Sequence, residues 1–152
     1  MLKEYRVILA YLLIAFSLLG LGAMMYIILS FNLGVVPTSG CPIYQNIDCG
    51  KVVTSAYSKF YGIDLSQLGA GFFALMLALS VYIFVSKNRR VKTRVNYIML
   101  GLGIIASGIA IYLIYLELFV IHYICLYCTF GHISIFGLTI TSAILLKSRN
   151  SD

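Results

Sequence analysis

Four cysteines carry the reactive chemistry of this 152-residue chain. Cys41 and Cys49 bracket the segment CPIYQNIDC, and Cys125 and Cys128 form a CxxC within CLYC. Thiols three positions apart on a helix sit about one turn from each other, so a small local adjustment brings their sulfurs to disulfide distance. Such a pair can open and close, and two pairs brought together can pass electrons by thiol–disulfide exchange. The same residues admit static roles: either pair can be a structural bridge, and four thiolates are chemically adequate for zinc.

The elements that must position them are hydrophobic. Apolar residues make up 61% of the chain and charged residues 11%, against roughly half and a quarter in soluble domains. Four stretches, 7–31, 65–86, 95–116 and 121–146, contain no Lys, Arg, Asp or Glu. At 1.5 Å per helical residue each exceeds the ~30 Å hydrocarbon thickness. The expectation is an all-α integral membrane protein, a single domain over 1–152 built as a four-transmembrane-helix bundle with a long outer loop between helices 1 and 2. The first stretch outruns the roughly 7–15-residue core of a cleaved signal peptide and reads as a retained helix. In the long loop, NLGVVPTSGCP is non-helical, whereas KVVTSAYSKFYG is predicted to form a short amphipathic helix at the interface.

Basic residues set the orientation. An even number of spans puts both ends of the chain and the loop between the second and third helices on one face, together with Lys3, Arg6, Lys87, Arg89, Arg90, Lys92, Arg94, Lys147 and Arg149. Lys51 and Lys59 fall on the other. Such a bias marks the cytoplasmic side, so both termini are expected in the cytoplasm and both cysteine pairs at the outer face, where disulfides persist. The net charge of +6 calls for no nucleic-acid partner; KNRRVKTR suits acidic membrane lipid headgroups.

Taken together, CPIYQNIDCGKVVTSAYSKFYGIDLSQLG and the later CLYC resemble the core of the vitamin K epoxide reductase family. The matching positions are Cys41 and Cys49, Ser55 six residues beyond, the Gly62 turn, Gly69, and Cys125 with Cys128. The four-helix quinone-linked thiol oxidase of the bacterial periplasm carries its CxxC in the first outer loop, the reverse order. Two positions depart from the family pattern. Asp64 stands where related chains often have Pro, and His132 where the animal enzymes have a tyrosine.

The resemblance implies a membrane thiol oxidoreductase that oxidises a thioredoxin-like partner. That partner is expected to be a separate protein, since about six residues follow the last span. In the implied relay the partner attacks the loop disulfide at Cys41, Cys49 attacks Cys125, and Cys128 passes electrons to a quinone (ubiquinone, menaquinone or a related one). Ser55, Gln67, Tyr127 and His132 are the expected quinone contacts, and no metal is assigned. Reduction of vitamin K quinone or its epoxide by partner thiols would use the same cysteines. A metal-binding or scaffold membrane protein with structural disulfides is the non-enzymatic alternative.

Bland roles stand beside these. Ser55 can be a turn or cap residue, His132 a hydrogen-bonded bundle residue, and the tyrosines at positions 112, 115, 123 and 127 an aromatic belt. Glu117 reads as the end of the third helix, within reach of water. Gly101, Gly103, Ser107 and Gly108 suit close helix packing.

Overall fold

A computed structural model describes residues 2–34 and 47–150; Cys41 lies outside them. Four helices are long and apolar enough to cross a membrane, over Glu4–Phe31, Leu65–Val85, Arg89–Ile121 and Leu126–Asn150. The first comprises α1 (Leu2–Ile27) and a π-helical turn, Ile28–Asn32. A short helix, α2 (Cys49–Val53), precedes α3 (Leu65–Val85). Next come α4 (Arg89–Tyr115), which runs into a second π-helical turn, Leu116–Ile121, and α5 (Leu126–Asn150).

α1 packs between α3 and α5, α4 lies along α5, and a lighter α3–α4 contact closes the ring. Leu9, Leu13, Phe73, Met76, Ile83, Met99, Leu138 and Leu145 fill the centre. Many other apolar side chains, among them Ile8, Ile104, Ile105 and Ile111, point outward, as expected where hydrocarbon rather than water surrounds the bundle. Several of the polar side chains inside find partners within the bundle. Ser17 and Ser80 donate to the carbonyls of Leu13 and Met76 four residues back, and the Asn96 amide donates to the Ser142 carbonyl at 3.1 Å. Close approach of α4 and α5 requires Gly103: a Cβ there would stand 2.6 Å from Oγ1 and 3.4 Å from Cα of Thr139, whose Oγ1 also pairs with Ser107 at 3.1 Å. Gly101 and Gly108, grouped with it from the sequence, face open space.

One end of the bundle is basic. Arg6 donates to the Ser148 hydroxyl and carbonyl at 3.2 and 2.6 Å, and Arg89 donates to the Arg149 carbonyl at 3.2 Å. The start of α1, the start of α4 and the end of α5 therefore meet there, the grouping expected of four spans.

Among the differences between the element limits and the sequence expectations, three have evident local causes. The third span begins at Arg89 rather than 95, because Asn88 caps α4 by accepting from the Arg90 N–H at 3.1 Å, and the charged first turns extend beyond the apolar run. The fourth begins at Leu126 rather than 121: His122 adopts a left-handed φ of 59°, and Ile124 is drawn into a parallel bridge with Ile47. The amphipathic helix expected over 51–62 is broken up. α2 ends at Val53, a 3-10 turn covers Ala56–Ser58, and an antiparallel hairpin pairs Lys59–Phe60 with Ile63–Asp64. Its turn needs positive φ at both Tyr61 (51°) and Gly62 (85°), which glycine supplies without steric cost.

Candidate active site

At the end opposite the basic cluster, the outgoing part of the long loop is pinned to the head of α5. Besides the Ile47–Ile124 bridge, the Asp48 N–H donates to the Ile124 carbonyl at 3.2 Å. Asp48 also caps α2, its carboxylate accepting from the Lys51 N–H at 3.2 Å. From the first turn of α2, Lys51 reaches across to the Tyr123 hydroxyl at 2.7 Å. That hydrogen bond holds the exposed ammonium above the ordinary lysine range against a smaller opposing desolvation, with the charges of Tyr123 and Asp48 adding to it.

These ties place Cys49 over the start of α5. Cys49 (1% exposed) and Cys125 (0%) share one small apolar cluster with Ile27 and Val52, and Cys128 packs against it. Although it lies in a loop, Cys49 is buried and already seated beside Cys125, because the bridge to Ile124 supplies the backbone partners. Cys49 is disulfide-bonded, and Cys125 and Cys128 are free thiols. Cys125 occupies the position before α5, where its sulfur accepts the Cys128 N–H at 3.3 Å and its carbonyl accepts the N–H of Thr129 at 2.9 Å. The sulfur does the work of a capping side chain.

Cys128, one turn further on, lines a cavity of about 250 Å³ enclosed by all four long helices and by the segment from Val52 to Asp64. An apolar cavity of ~150 Å³ already takes a benzene-sized ring, so this one admits a larger flat molecule. The walls are chiefly aliphatic and aromatic, among them Met24, Phe72, Phe73, Ile109 and Leu113, with a few polar groups at Ser55, Ser66, Glu117 and His132. That mixture suits an apolar ring carrying a few hydrogen-bond acceptors.

The expected contacts fall into two sets. Ser55 and His132 line the cavity, Ser55 meanwhile donating its hydroxyl to the Val52 carbonyl at 2.8 Å. Gln67 is exposed and Tyr127 stacks on Tyr26, ring centroids 4.1 Å apart; neither belongs to the lining. Two residues not singled out as contacts do belong to it. Ser66 brings a buried hydroxyl with no partner among the described residues; a serine in a helix's first turn reads as a capping residue, which hid it. Glu117 is 6% exposed, and its signal was available as the lone acidic residue in a long apolar run.

A family model described as "Vitamin K epoxide reductase family" matches residues 11–143. The curated proteins contain no match to the chain.

Proposed function

The chain belongs to the vitamin K epoxide reductase family, and from this premise, a multi-pass membrane oxidoreductase of that type, we propose that it oxidises a separate thioredoxin-like protein and delivers the electrons to a quinone, supporting disulfide formation. A partner thiolate attacks the disulfide between Cys41 and Cys49 at Cys41, and a second partner thiol closes the partner's own disulfide. Both loop cysteines are left reduced. Cys49 then attacks Cys125 of the Cys125–Cys128 disulfide, Cys128 leaves as thiolate and takes up a proton, and Cys41 resolves the mixed disulfide, so that the two protons lost by the loop thiols end on Cys125 and Cys128. Cys125 and Cys128, now reduced, return to a disulfide as two electrons pass to the quinone, the substrate that accepts them.

One observation carries the reading: Cys125 is buried with Cys49, whereas Cys128 is the cysteine in the cavity wall. One sulfur of the motif thus serves the protein side and the other the ring side. The basic residues gathered at the far end support an orientation with the termini in the cytoplasm and this site outward. The test is to replace Cys49 with Ser, so that a partner joined to Cys41 cannot be released by exchange within the loop. Non-reducing gels should then show a covalent complex with a thioredoxin-like protein that needs Cys41. A complex that forms equally without Cys41 would overturn the proposed entry point.

A further inference from the structure

Glu117 is the buried carboxyl among the described residues, and the relay above gives it no task. It sits in the π-helical turn Leu116–Ile121, the kind of local widening that recurs at functional sites. A carboxyl held within a membrane span is costly and marks function by default. Its carboxylate accepts from the Cys125 backbone N–H, and its side chain lines the same cavity as Cys128. A second cavity, also about 250 Å³, is lined by Ile124 and Thr129 among others. Among the described residues, Glu117 and His132 are the two that line both volumes.

We propose that Glu117 carries a proton from the Cys125 thiol to an oxygen of the quinone held against Cys128, an inference that rests on the quinone reading above. Closing the disulfide and forming a quinol moves two electrons from the sulfurs to the ring and two protons from the thiols to its two oxygens. Cys128, in the cavity wall, gives its own proton there. Cys125 is not part of that wall, so its proton needs a carrier. The Glu117 carboxyl donates to the second oxygen, and the carboxylate left behind takes the proton that Cys125 loses as its sulfur bonds to Cys128. The thiols lose two protons and the quinol gains two, with Glu117 unchanged at the end. The other titratable groups facing this exchange are His132 on α5, and Tyr57 and Asp64 across the cavity.

The test is a single turnover of the full chain in detergent, reduced with dithiothreitol, desalted and mixed with a short-chain ubiquinone analogue. Glu117→Gln should slow quinone reduction about 100-fold, the scale of a lost general acid, and flatten its pH profile. Reduction of the Cys125–Cys128 disulfide by dithiothreitol should stay within twofold of the wild type, and Glu117→Asp should restore a sloping profile. Unchanged rate and profile in Glu117→Gln would overturn the inference and leave the quinone reading standing. So would a slowed variant that keeps the wild-type profile, since that describes a structural role. A wild-type protein that leaves the analogue oxidised overturns both. Should Glu117→Gln fail to fold, Glu117→Asp carries the test: a displaced pH profile supports proton transfer, and an undisplaced one overturns it.

Discussion

Cys128 donates its backbone N–H to the sulfur of Cys125 at 3.3 Å, so the two cysteines of one motif are held in unlike surroundings. Cys125 is fully enclosed beside Cys49, and Cys128 faces the cavity. The proposal of an electron-receiving and an electron-delivering sulfur rests on that difference.

Replacing either one should expose the division. In Cys125→Ser, adding quinone should produce a visible charge-transfer absorption from the Cys128 thiolate, lost on acidification as the sulfur takes up a proton. Cys128→Ser should show no such band and should accumulate a Cys49–Cys125 disulfide, detectable by peptide mapping. A band confined to Cys128→Ser would reverse the roles.

Asp48 is the hinge pin of the loop, capping a helix of five residues and donating its own N–H to Ile124. Asp48→Ala removes a cap worth about 1 kcal/mol, so transfer from the reduced loop pair to the Cys125–Cys128 disulfide should slow about fivefold. Asp48→Asn, which keeps an accepting oxygen, should stay near the wild-type rate. Stopped-flow measurement of that half-reaction distinguishes the two; equal rates for all three proteins would show that the cap does not position Cys49.

Orientation can be read with single reporters in a chain whose four cysteines are Ser. Ala56 and Lys87 are both exposed, at opposite ends of the bundle. A membrane-impermeant maleimide should label Ala56→Cys in intact cells and Lys87→Cys only after permeabilisation. The opposite pattern would put the cysteine site on the cytoplasmic side.

Packing makes a separate prediction. Gly103→Val pushes into Thr139 and should cost about 1–3 kcal/mol. Gly101→Ala, facing open space, should be within about 0.5 kcal/mol of the wild type. Thermal unfolding in detergent compares them, and equal losses would show that the α4–α5 approach is not set at Gly103.

How far the sequence was legible depended on the range of the interaction. The four spans follow from uninterrupted apolar length, and the CxxC at the head of α5 from local spacing. The burial of Cys49 rests on Ile47 meeting Ile124, a pairing between distant segments that no local pattern announces. Reading 51–62 as one helix failed because Tyr61 and Gly62 both take positive φ, a turn signal outweighed by the polar–apolar alternation around it. A carboxylate usually marks a helix end near water, but the π-helical turn keeps the chain helical past Glu117 and carries its side chain inward. The amide of Gln67 has the chemistry of a quinone contact, but the helical phase of α3 leaves it exposed.

The position of α1 between α3 and α5 also has a consequence for biosynthesis. At roughly 5–20 residues per second, the ribosome needs several seconds to go from the end of α1 to the head of α5. Throughout that interval α1 lacks one of its two neighbours, and Cys49 has left the ribosome before Cys125 exists. On the proposed relay, Cys49 therefore passes that interval without the acceptor it would use. Insertion of α5 completes the bundle and, on the proposed relay, supplies the acceptor for the loop pair's electrons.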